Sequence, residues 1–182
     1  MTTDEITITL RRYFEEACDV LKVDSRDISF AYDNIGERFR TISNSCEIDG
    51  KTLFINKDWI KECLKINDIY DLQYQMYHEA RHLYQKMVID DFHSRGKSSE
   101  LPITIQRWDH EFSNYQRNEG TEETQNANAA QKVEIDANAF ALALLNSKGI
   151  TEARAPKEHR KETEQRAQEI FEYLIKTGKV KV

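Results

Sequence analysis

Three things are scarce in this sequence: cysteine pairs, long apolar runs and excess positive charge. The 182 residues include three cysteines, two prolines and six glycines. Cys18, Cys46 and Cys63 are an odd number at wide spacing, and no CxxC pair occurs. They read as reduced thiols, so the expected compartment is a reducing one, the cytoplasm. No stretch approaches the ~18 consecutive apolar residues of a membrane helix, so no membrane partner is expected. The opening "MTTDEITITLRRYFEEA" is polar and acidic at its start. It lacks the basic and apolar regions of a secretory leader. Lysine and arginine total 26 against 32 aspartates and glutamates, a formal net charge of -6. That balance has no basic footprint, so nucleic acid is not an expected partner either.

What is present suits one domain. Hydrophobic residues make up 39% of the chain and charged residues 32%, enough for a single core under a heavily charged surface. The expected class is α+β, one domain over residues 1–182. Leu10, Tyr13, Phe14, Ala17, Val20 and Leu21 recur at helical spacing and predict a helix from Thr3 to Lys22. "ISFAY" and two strand-like segments around Asp49-Gly50 predict a small three-stranded sheet, antiparallel or mixed. Asp-Gly is read as a type I′ hairpin turn. Further helices are expected from Asn56 to Lys65, then, after a break at Asn67, to Ile89, and from Ala129 to Ser147. A last helix is expected to open at Pro156 and reach Thr177, with Gly178 as its C-cap. "SRGKSSELP" and "NEGTEETQNANAAQ" read as loops within the domain, and Glu119 to Gln131 as a mobile one.

The chemistry concentrates in "MYHEARHLYQ", Met76 to Gln85, which contains the pattern H-E-x-x-H. A helix turns about 100° per residue, so His82 lies roughly 40° from His78, one turn along the same face. Met76, Ala80, Leu83 and Met87 gather on the opposite side. The histidines therefore share a second face with Gln75 and Gln85. Two imidazoles so placed can converge on one small ion such as zinc, whose Zn–N bonds are about 2.0–2.1 Å. Glu79 projects beside them, where such motifs carry a general base. The competing reading is a solvated helix face. A third ligand is sought downstream in "KVEIDANAFALALL". There Val133, Ala137, Phe140, Ala141 and Leu144 form an apolar stripe, with Glu134 at its border and Asn138 one turn later on the same side. A carboxylate at a buried border is costly unless paired or coordinated. Glu134 is thus the expected third metal ligand and Asn138 a supporting residue. Asp136, about 200° round the helix from Glu134, points elsewhere.

The two segments together resemble a known family. H-E-x-x-H on one helix, followed by E-x-x-A-N-x-F-A on another, looks like the glutamate-liganded zincins, and most like the ImmA/IrrE-like zinc metallopeptidases. The matching pieces are "TLFIN" (Thr52 to Asn56), "HEARH" (His78 to His82) and "EIDANAFALALL" (Glu134 to Leu145), so the resemblance covers roughly Ile28 to Leu145. It implies a zincin-like fold, a small sheet packed on the helices that carry the site. It implies that His78, His82 and Glu134 bind zinc, that Glu79 is the base, and that the activity is endopeptidase cleavage of narrow specificity. The sequence departs from the family at Arg81, where a glycine is usual. It also lacks a proline after "ALALL", has a longer gap between His82 and Glu134, and shows no helix-turn-helix segment.

Such chemistry calls for a second electrophile to steady the oxyanion. His110 and Tyr115 are the candidates, with Tyr74 also near the histidine side. The segment "RWDHEFSNYQ" either lines a cleft or packs as a stripe through Trp108, Phe112 and Tyr115. "PKEHRKETEQR" reads as a solvated face. Beyond it Ala167, Ile170, Phe171, Leu174 and Ile175 dock on the core or on another chain. His159 is read as surface, and His93 as lacking a partner. Manganese or iron suits the same ligand types. Two alternatives stand beside the peptidase: a non-catalytic metal-binding or protein-interaction module, and an exported peptidase effector.

Overall fold

A computed structural model describes residues 3–151, 155, 157 and 159–180. Among them the chain forms seven helices and three strands. In order they are α1 (Thr3–Leu21), β1 (Ser29–Asp33), β2 (Cys46–Asp49), β3 (Thr52–Asn56), α2 (Lys57–Lys65), α3 (Ile69–Arg95), α4 (Pro102–Ser113), α5 (Glu122–Ala129), α6 (Lys132–Asn146) and α7 (Arg160–Lys176). The α+β class and the small sheet are as expected. The sheet is mixed, in the order β1-β3-β2. Strand β1 runs parallel to β3, and β2 antiparallel to it, which leaves β2 with one open edge. Asp49 pairs with Thr52, so the turn residues are Gly50 and Lys51. Of these only Gly50 has a positive φ, 56°. A type I′ turn needs positive φ at both, so the expected turn gives way to the type II′ pattern, glycine first.

One asparagine joins the sheet to the helices. The wholly buried Asn56 ends β3 and caps α2, accepting from the Asp58 N–H at 2.9 Å and the Trp59 N–H at 3.4 Å. Its Nδ2 donates to the carbonyls of Thr41 (3.2 Å) and Asn44 (2.9 Å). The long β1–β2 connection is thereby tied to the strand–helix junction. A second tie closes that connection from outside. Gly120, at φ 92°, lies so near Thr41 that a Cβ would meet its methyl at 2.6 Å, and Asn44 Nδ2 donates to the Asn118 carbonyl at 3.1 Å.

Helix α3 is the spine. It packs against α1 on one flank, where Tyr77 meets the Tyr13 ring edge to face and donates to Glu16, and against α6 on the other. It runs past the expected end at Ile89 to Arg95 and stops at Gly96, which is left-handed (φ 64°). The polar tail stays helical because Ser94 Oγ donates to the Asp90 carbonyl and Arg95 pairs with Asp91, both within one turn. Helix α6 is buried along its whole length from Val133 to Leu145, wider than the stripe its periodicity suggests. A helix buried all round is a core element. Helix α7 covers it with Thr163, Ala167, Ile170 and Leu174, while Ile175 stays 39% exposed. Pro156 lies outside the described residues, and α7 begins at Arg160. Residues 119–131 are not simply a loop. They contain α5, started by a capping box in which Thr121 Oγ1 accepts from the Thr124 N–H and Thr124 Oγ1 from the Thr121 N–H. Threonine in place of the usual Glu/Gln hides that signal from the sequence.

A buried ion-pair set locks α3, α6 and α7 together. Arg81 Nε donates to Asp136 Oδ2 at 2.8 Å, and Arg166 Nε to Asp136 Oδ1 at 3.0 Å. The Arg81 guanidinium lies over the Tyr84 ring at 4.4 Å. Arg81 is thus a buried structural cation, while Arg166, from the charged run on α7, stays about one-third exposed. Burial raises the Asp136 pKa, but Arg81 and then Arg166 outweigh it and hold the carboxyl below its ordinary range. Stability from this group is full above the unfolded aspartate pKa of about 3.9 and falls away as pH drops through the lower folded value. Asp136→Asn is expected to cost about 3 kcal/mol at pH 7 by urea unfolding, because it leaves the buried Arg81 guanidinium with only the longer Glu100 contact, 3.5 Å, as a carboxylate partner. The gap from wild type should narrow below about pH 4.

Candidate metal centre

Helices α3 and α6 bring His78, His82 and Glu134 together in the buried interior. Glu134 Oε2 is 3.3 Å from His78 Nε2, and Glu134 Oε1 is 3.1 Å from His82 Nε2. The ligand atoms of all three lie within 4.8 Å of one another. The two imidazoles meet edge to face, centroids 4.5 Å apart. Glu134 enters the cluster from the first turn of α6, and Asn138 follows it one turn on.

The far side of each ring decides what the near side can hold. His78 Nδ1 is 3.0 Å from Asn138 Oδ1, which also accepts the Tyr74 hydroxyl at 2.9 Å. His82 Nδ1 is 2.8 Å from Gln85 Oε1. The Gln85 amide has one sensible orientation. Its Nε2 faces the Val133 carbonyl (3.1 Å) and Asp136 Oδ2 (2.9 Å), both acceptors. Its oxygen therefore accepts from His82, so Nδ1 carries the proton and Nε2 a lone pair. Each neutral Nε2 then faces a carboxylate oxygen, acceptor against acceptor, unless a cation sits between them. Without a metal that cation is a proton. Burial alone would lower the His82 pKa, yet Glu134 and then Glu79 raise it. Burial likewise opposes the charge on Glu134, but His82 and His78 hold its carboxyl well below the ordinary range. A divalent ion fits the same donors. The two imidazoles face different oxygens of Glu134, and one ligand atom from each of the three residues lies within 4.8 Å of the others. This buried group can hold a metal ion.

The cluster opens on a cleft of roughly 950 Å³, walled by β2, the 38–45 segment, Phe112, Tyr115 and α3. Glu79 also lines it, and its Oε2 accepts from the Ile48 N–H on the open edge of β2 at 3.0 Å. Burial raises the Glu79 pKa against the opposing charge of the two histidines. The Tyr115 hydroxyl donates to Glu134 Oε1 and accepts from Asn128 Nδ2 at 3.1 Å. Burial and the neighbouring Glu134 push its pKa well above that of a free phenol, so it stays a donor.

Not every expected residue is here. His110 is exposed on α4 and absent from the cleft. It precedes Phe112 by two residues, about 200° round the helix, so the turn that aims Phe112 inward aims His110 out. Tyr74 is fully buried behind Asn138 rather than in the cleft. The aromatic segment divides its work: Trp108 packs in the core, while Phe112 and Tyr115 face the cleft. His93 has a partner after all, Asp109 at 2.9 Å on the surface. Gln85 is a supporting residue that the sequence reading passed over. Its position three residues after His82, on the same helix face, is the signal that identifies it. No protein-family model, curated protein or solved structure matches the chain. No helix among the described residues is long and apolar enough to cross a membrane.

Proposed function

We propose that this chain is a zinc-dependent endopeptidase on a zincin-like fold, akin to the ImmA/IrrE-like group. The observation that carries the reading is the juxtaposition of a buried base, Glu79, with the His78–His82–Glu134 cluster at the floor of an open cleft. Two imidazoles and one carboxylate favour zinc over ions that seek six oxygens. When bound, zinc supplies Lewis acidity, polarising a carbonyl and bringing the pKa of water to about 7.

The chain's own groups divide the remaining work. His78, His82 and Glu134 hold the ion, with Asn138 and Gln85 fixing the imidazole tautomers. The open edge of β2 flanks the cleft and suits an extended peptide, whose backbone can pair with a strand edge. Glu79, with its pKa raised by burial, takes a proton from water as a C–O bond forms at the scissile carbonyl. It returns that proton to the amine as the C–N bond breaks. Of the two expected electrophiles Tyr115 is the one that lines the cleft, and its hydroxyl would donate to the oxyanion by turning from Glu134 Oε1, to which it now donates.

The test is cleavage of a degenerate peptide mixture by zinc-loaded protein, with new termini read by mass spectrometry. The expected result is cleavage that chelation removes and added zinc restores. Zinc bound without any cleavage would replace the peptidase by a non-catalytic metal-binding module.

A further inference from the structure

Lys86 stands one turn beyond His82 on α3, in the cleft, and the mechanism above does not use it. Of the other cations lining the cleft, Arg38, Arg40 and Arg117 are ion-paired, Arg38 with Glu47 and Asp49, Arg117 with Glu47, and Arg40 with Glu119, while Lys157 and Arg160 lie outside α3 and away from the β2 edge in sequence. Among the described residues no carboxylate lies within ion-pair distance of Lys86. Its Nζ instead donates to the Ile48 carbonyl at 2.8 Å and lies 5.4 Å from the centre of the Phe112 ring. That ring in turn packs on His82, centroids 5.9 Å apart. Glu79 and Asp49, which both feel the Lys86 charge, are engaged elsewhere. Glu79 holds the Ile48 N–H and Asp49 holds Arg38. Lys86 and Glu79 therefore occupy both outward backbone groups of Ile48 on the β2 edge. A peptide pairing with that edge at Ile48 displaces Glu79 from the N–H and competes with Lys86 for the carbonyl, and that competition frees a half-buried ammonium beside the bound chain.

We propose that Lys86 is a specificity residue that receives a carboxylate of the substrate next to the scissile bond. This rests on the peptidase reading and adds a substrate class to it. The carboxylate belongs either to an aspartate or glutamate side chain or to a chain terminus.

Three peptidyl hydroxamates distinguish these sources on the zinc-loaded protein. One carries Asp with an amidated end, one Asn with an amidated end, and one Asn with a free carboxyl end. Binding is measured by calorimetry to wild type, Lys86→Met and Lys86→Arg. Wild type is expected to bind one of the carboxylate compounds about tenfold or more tighter than the neutral one, as charged hydrogen bonds allow. The compound favoured identifies the source. The preference should fall to near unity in Lys86→Met and persist in Lys86→Arg. If Lys86 merely props the β2 edge, Lys86→Met shifts all three compounds alike. That result, or equal binding of the three by wild type, overturns the proposal and leaves the metal cleft standing. No binding of any hydroxamate to the zinc-loaded protein would overturn both.

Discussion

Glu79→Gln is expected to leave zinc bound and to remove hydrolysis. The substitution is nearly isosteric, and a glutamine oxygen can still accept from the Ile48 N–H that Glu79 now holds at 3.0 Å. The fold and the cleft wall are therefore kept. What is lost is the ability to take a proton. A positioned general base contributes about 10²–10⁴-fold to such reactions, so cleavage of the peptide mixture should fall to about 1% or less. The check pairs two readouts on one preparation: zinc content by mass spectrometry and the rate of appearance of new termini. Full zinc with wild-type cleavage would remove Glu79 from the chemistry and with it the proposed mechanism.

Loss of a ligand should act on the other readout. Glu134→Ala and His82→Ala are each expected to weaken zinc binding well beyond the ~10–100-fold that loss of an outer hydrogen-bond partner costs. Glu134 bridges both imidazoles at 3.1 and 3.3 Å, so its removal opens two edges of the donor set at once. His82→Ala keeps Glu134 and His78 but leaves Gln85 Oε1 without the proton it accepts. Competition with a chelator of known zinc affinity gives the dissociation constants, and circular dichroism shows whether each variant is folded. Folded variants that bind zinc as tightly as wild type would place the ion elsewhere.

The site was more legible in the sequence than the scaffold around it. His78 and His82 share a face because four residues make just over one helical turn, and that geometry is local. Glu134 could be picked out because a carboxylate bordering an apolar stripe asks for a partner, and the partner is the histidine pair. Asn138 followed from the same helical repeat. What could not be read depended on distant contacts. His110 and Tyr115 looked equivalent as polar aromatics on one segment. Only the packing of α4, with Phe112 turned to the cleft, separates them. Asp136 points away from the histidine pair, as its place on the helix implies, but its pairing with Arg81 and Arg166 joins three helices and has no local signature. The capping of α5 by two threonines was hidden by an unusual residue at the third helical position. The parallel pairing of β1 with β3 depends on the long connection that Asn56 and Gly120 hold in place, which no short-range pattern encodes.

Metal content is the most direct measurement on the central claim. Untagged wild-type protein, supplied with zinc, exchanged into metal-free buffer and weighed by native mass spectrometry, is predicted to retain about one zinc ion per chain, as a His-His-Glu site should. Folded protein that retains no metal would contradict the account. The facing lone pairs of His78, His82 and Glu134 would then be reconciled by a proton alone, and the cleft would have no hydrolytic centre.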